Sequence, residues 1–172
     1  MKLVIQRVAN ASVEVDNEII GQIDKGLMVL VGFGQNDTTK EVDYLSKKLI
    51  KLRIFPDENG RMNNSVQDVS GKLLLVPQFT LYGKTKKNRP SFHKALNPDD
   101  ATKLFDYIVE KCSNDIEVET GEFGAYMKVN LISKVLIGSM ALSTGQKASA
   151  QITPHLTPIT RNIDKFIPSD IN

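Results

Sequence analysis

LLLVPQFTLYGKTKKNRPSF, residues 73–92, passes from an apolar run through a hydroxyl and amide segment into a compact basic loop. The apolar run predicts a strand buried on both faces. Pro77 has no ladder donor and belongs at the end of that strand or at a sheet edge. Beyond it, Gln78, Thr80, Tyr82, Thr85, Ser91 and His93 supply hydrogen-bonding groups beside Lys84, Lys86, Lys87, Arg89 and Lys94. The residues alone allow two readings. One is a surface that pairs with phosphates while the strand end presents polar groups to a bound ester or sugar; the other is a solvated hairpin loop.

Working outward, residues 2–8, 11–15 and 19–23 read as strands, with a hairpin turn at Asp16-Asn17 and a second turn at Asp24-Lys25-Gly26. LMVLVGF, residues 27–33, is a continuous apolar run bounded by glycines, the pattern of a core strand. Asp37 and Thr38 are candidate caps for a helix over 39–52, where Val42, Leu45, Leu49 and Leu52 recur at helical spacing. Its Lys47, Lys48 and Lys51 face is expected in solvent. Asn97-Pro98-Asp99 starts a second helix whose apolar stripe includes Ala101, Leu104, Phe105, Ile108 and Cys112. Alternation resumes over 116–120 and 125–132. These elements predict a single compact α+β domain with a largely antiparallel sheet. After Ile132 the chain is rich in Ser, Thr, Gly and Pro, so residues 1–132 are expected to form the domain and 133–172 an irregular tail.

A length of 172 residues suffices for one full core. No apolar stretch approaches the roughly 20 residues that cross a bilayer, and Arg7 stands where a signal peptide would have its apolar centre. The net charge of +2 is too small for a general nucleic-acid coat, though a local basic patch can steer a phosphate backbone. Cys112 is the one cysteine, which rules out an internal disulfide and fits a reducing cytoplasm.

Known chemical signatures are mostly absent. Gly32-Phe33-Gly34 lacks the later glycine and lysine of a nucleotide loop, and Asp57-Glu58-Asn59 lacks the spacing of a calcium loop. No nucleophile-elbow motif accompanies His93 or His155. Few histidines and scattered acids form no ligand set, so neither a metal nor a cofactor is expected. In EFGAYM, residues 122–127, a glycine between two aromatics permits close backbone approach, while Phe123 and Met127 also suit plain core contacts.

Four blocks, MKLVIQRVANASVEVD, LIKLRIFPDENGRMNNSV, PQFTLYGKTKKNRPSF and ETGEFGAYMKV, together resemble the D-aminoacyl-tRNA deacylase family, over some three quarters of the chain. The resemblance implies a deacylase-like fold and a cytoplasmic homodimer whose active site lies at the subunit interface. It implies hydrolysis of the ester between a D-amino acid, or glycine mischarged on alanine tRNA, and the terminal adenosine. Catalysis would fall to Gln78, Phe79 and Thr80. Pro77, Phe123, Gly124 and Met127 would line or support the pocket, and Lys84, Lys86, Lys87 and Arg89 would lie near the tRNA backbone. Two positions depart from the family. Pro77 stands where the family usually has serine, and Val135-Leu136 where it has the Gly-Pro pair that gates chirality. The rival expectation is a non-catalytic nucleic-acid-binding module that keeps the fold and the basic loop.

Overall fold

The computed structural model describes residues 1–85, 88–133 and 139–144. Lys2–Val8 (β1), Asn10–Val15 (β2), Glu18–Ile23 (β3) and Gly26–Gly32 (β4) open the chain, followed by the helix Thr39–Ile50 (α1). A small hairpin, Phe55–Pro56 (β5) with Met62–Asn64 (β6), precedes Lys72–Pro77 (β7). The helix Pro98–Ser113 (α2) leads to Val118–Thr120 (β8), Lys128–Ile132 (β9) and Ser139–Ser143 (β10).

Local chemistry explains several of these boundaries. Asp16 and Asn17 both adopt positive φ, 51° and 67°, as a two-residue hairpin with the twist of its strands requires. Thr38, rather than Asp37, caps α1: its side chain accepts an amide of the first turn while the Glu41 carboxylate reaches back to the Thr38 amide. Asn97 caps α2 through the Asp100 amide, with Pro98 in the first turn, where no donor is needed.

Three layers result. A five-stranded sheet in the order β10-β1-β4-β7-β8 is covered on one face by both helices. Leu3, Ile5, Leu27, Val29, Leu73 and Leu75 pack there with Leu45 and Leu49 of α1 and Phe105 and Ile108 of α2. Met28, Leu74 and Val76, on the other face, meet Val13, Ile23 and Val129 of a three-stranded sheet ordered β3-β2-β9. Burial on both sides is why β4 and β7 read as unbroken apolar runs. The pairing is largely antiparallel, and the two parallel pairs, β4 with β7 and β7 with β8, join strands separated by helical crossovers.

One expectation is corrected. Residues 138–152 were expected to be irregular, yet Ser139–Ser143 forms an edge strand antiparallel to β1, beyond the expected domain end at residue 132. Leu142 pairs with Leu3 and Met140 with Ile5, so both drop onto the helix-covered face and are buried. Two apolar residues at alternating positions are enough when the neighbouring strand supplies the ladder. The remainder of the tail from residue 145, with His155, lies outside the described residues.

If β10 belongs to the core, Leu142→Ala should lower the unfolding free energy by about 2–5 kcal/mol in a denaturant titration. An unchanged midpoint would detach β10 from the fold.

Candidate active site

The end of β7 builds the site. Leu73 donates toward β8, to Glu117 O at 3.0 Å, so strand alternation aims position 77 the same way. β8 pairs no further than Leu75 with Thr120, and Pro77, which has no N–H to donate, ends the strand. Gln78 then donates back to Val31 O at 2.7 Å, and the chain folds into a 3-10 turn, Phe79–Tyr82. Gly32 makes the fold-back possible, because a Cβ there would stand 2.8 Å from Gln78 O. The Gln78 side-chain amide donates to the Thr80 hydroxyl and does not cap the turn.

The turn borders a cavity of about 280 Å³. Val31, Phe33, Gln78 and Phe79 form one side, and Phe92, Ala95 and Leu96 the other. Pro98 and Ala101 of α2 and Phe123 complete the lining. Phe79 is 50% exposed and meets Phe92 edge-on, with centroids 5.2 Å apart and planes at 74°. Phe123 leans on Phe105 in the same manner at 6.3 Å, which ties the cavity to the core of α2. Among the described residues, no lining side chain is ionisable, and Gln78 is the one polar side chain. Such a lining suits a flat, apolar or aromatic group held by stacking and oriented by backbone amides and one side-chain amide.

Lys84 and Ser91 exchange backbone hydrogen bonds at 2.8 and 2.9 Å, which closes the basic loop and sets Phe92 beside Phe79. Lys84 and Arg89 are exposed; Lys86 and Lys87 lie outside the described residues, as do Val135 and Leu136. Ser91 Oγ and His93 Nδ1 are 2.5 Å apart on the exposed side of this segment, without a carboxylate bonded to the imidazole among the described residues. The two flank Phe92 in sequence and are absent from the lining.

Of the residues singled out in the sequence, the structure gathers Gln78, Phe79 and Phe123 at the cavity, with Thr80 bonded to Gln78 and Pro77 two residues before the turn. Gly124 and Met127 stand elsewhere. Gly124 is an exposed turn residue at φ 81° with open space around it, and Met127 packs on the second core, its sulfur against Gly121. The Phe92, Ala95 and Leu96 wall was not foreseen; Phe92, an aromatic directly after a basic loop, was its one visible signal. Among the described residues, no group of three or more His, Cys, Asp or Glu side chains is placed to hold a metal ion.

A family model described as D-Tyr-tRNA(Tyr) deacylase matches residues 4–135. The D-aminoacyl-tRNA deacylase of Thermosipho africanus is 51% identical over 135 residues, spanning 77% of this chain and 91% of that one. Among solved structures, the c-Myc DNA Unwinding Element Binding Protein superimposes with a TM-score of 0.79 at 36% identity, over 85% of this chain and all of that one. A structure described as a probable eukaryotic D-amino acid tRNA deacylase shares the fold, with a TM-score of 0.67 at 18% identity over 80% of this chain and 95% of that one.

Cys112, in the last turn of α2, is fully buried, and burial pushes its thiol up to about 12. A thiol in that state is no nucleophile. Iodoacetamide at about pH 8, near the ordinary thiol value, should leave the native protein unlabelled and label it on unfolding; equal rates in both states would contradict this burial.

Proposed function

The chain belongs to the D-Tyr-tRNA(Tyr) deacylase family, and we propose that it hydrolyses D-aminoacyl esters of tRNA in the neutral cavity beside Gln78, Phe79 and Thr80. It is an ester hydrolase of D-aminoacyl-tRNA, and glycine mischarged on alanine tRNA is the second substrate proposed. The observation that carries the site assignment is the lining without an ionisable side chain. An aminoacyl ester is already activated, so a site needs mainly to orient the attacking oxygen and steady the developing oxyanion. Water or the adenosine 2′-hydroxyl attacks the carbonyl carbon, backbone N–H groups at Phe79 and Thr80 receive the charge on the carbonyl oxygen, and the bond to the ribose oxygen breaks. With water this frees the amino acid directly, whereas attack by the 2′-hydroxyl first moves the acyl group, which water must then release.

In this proposal Phe79 and Phe92 hold the flat groups of the substrate, Gln78 orients the ester with Thr80 behind it, and Pro77 shapes the turn. Lys84, Lys86, Lys87 and Arg89 meet tRNA phosphates, with Phe123 in the pocket lining, Gly124 in the turn that follows it and Met127 packed behind the β7 end. A homodimer in the cytoplasm completes the reading. Its support is the half-exposed Phe79 at the cavity mouth, which a second subunit would cover. Sedimentation should then give twice the chain mass; a monomer at working concentration would refute the dimer.

A second reading, binding of nucleic acid without catalysis, draws on the basic loop and on the likeness to a DNA unwinding element binding protein. The two separate in one assay. The protein should release D-tyrosine from charged tRNA at least about tenfold faster than L-tyrosine, a difference of roughly 1.4 kcal/mol. Equal cleavage of both isomers would mean that chirality is lost with the Gly-Pro pair; background rates with salt-dependent binding of uncharged tRNA or DNA would favour the binding module. Stacking of a base on an aromatic is worth about 1–3 kcal/mol, so Phe79→Ala should lower kcat/KM by about 5- to 150-fold.

A further inference from the structure

Asp37, in the loop between β4 and α1, does not line the cavity, yet it is attached to both of its walls. Its side chain is 10% exposed. Oδ2 accepts the Gly34 amide at 2.6 Å and the Tyr82 hydroxyl at 3.0 Å, while Oδ1 meets the Met1 ammonium.

Tyr82 is the last residue of the 3-10 turn that begins at Phe79. The same turn is held by the Lys2 ammonium, which donates to Leu81 O at 2.8 Å and sits 4.6 Å from the centre of the Tyr82 ring. That ring lies flush on Gly34, where a Cβ would come within 2.5 Å of its edge. Gly34 in turn bridges to Ala95 in the opposite wall, with Gln35 donating to Lys94 O at 3.2 Å and Leu96 to Phe33 O at 3.0 Å. One carboxylate therefore reaches the Phe79 wall through Tyr82 and the Phe92 to Leu96 wall through Gly34. Burial, and then the Asp37 charge, push the Tyr82 phenol above its ordinary range, so it remains a donor.

We propose that Asp37 is a positioning residue for deacylation, setting through Tyr82 and Gly34 the distance and angle between the two walls that hold the substrate. The proposal rests on the deacylase reading. A misplacement of about 1 Å remote from the chemistry can cost on the order of a hundredfold in rate, whereas simple loss of binding raises KM. Tyr82→Phe keeps the ring and removes the hydroxyl. For D-tyrosyl-tRNA it should lower kcat about tenfold with KM within about twofold. Adding Asp37→Asn should lower kcat further, since it also weakens the bond from the Gly34 amide that Tyr82→Phe leaves intact.

Hydrogen exchange supplies a readout that needs no substrate: amides at 79–83 and 92–96 should speed up together in Tyr82→Phe, while those of β1 and α2 hold. A variant with wild-type kcat, or exchange that rises in one wall alone, overturns the proposal. Wild-type protein that releases no D-tyrosine sinks the deacylase reading instead, and the exchange comparison still decides whether Asp37 couples the walls.

Discussion

The last bond of the β4–β7 ladder, from the Gln78 amide to Val31 O at 2.7 Å, is the constraint on which the site depends. A parallel pair ends where its strands part, and here the parting follows directly on the Gln78 bond and is permitted by Gly32, which leaves room for the chain to fold back. The next four residues form the 3-10 turn that lifts Phe79 to the cavity mouth. Because β4 and β7 are buried on both faces, the point of parting is held by the core. A turn set on so rigid a base presents its amides in a fixed direction, which is what stabilising a transient oxyanion requires.

The chemistry of the cavity matches this economy of parts. A deacylase of D-aminoacyl-tRNA works on an ester that is already reactive, so a neutral lining with one amide is sufficient, and a strong general acid or base would risk hydrolysing correct L-aminoacyl-tRNA as well. Selectivity between isomers must then come from what blocks the wrong one. The resemblance sets Val135 and Leu136 where the family would have its Gly-Pro pair, and on that reading the D/L ratio is the property in which this chain has most room to differ from the family.

Much of the fold was legible because the determinants are local. The Asp16-Asn17 turn, the Thr38 cap, the helix start at Asn97-Pro98-Asp99, where Asn97 caps and Asp99 is a first-turn acid, and the double-sided apolar runs of β4 and β7 each follow from a few neighbouring residues. β10 was missed because it is short, sits in a stretch rich in Ser, Thr and Gly, and owes its strand character to pairing with β1, far away in sequence. The cavity was half legible. Gln78 drew attention as a polar residue after an apolar strand and Phe79 through the family resemblance, whereas Phe33, Ala95 and Leu96 resemble ordinary core and loop residues until the Gly34 to Ala95 bridge brings them together. Asp37 was read as a helix cap for the same reason; its role depends on Tyr82, 45 residues later.

The most direct test is a crystal structure with an adenosine carrying D-tyrosine through a 3′-amide in place of the ester, a link the protein cannot hydrolyse. Its aromatic groups should lie in the cavity lined by Phe79 and Phe92, with the carbonyl oxygen about 2.7–3.1 Å from the Phe79 or Thr80 backbone amide. An analogue bound away from this cavity, or bound in it with its carbonyl turned from the Gln78 to Thr80 turn, would contradict the assignment of the site.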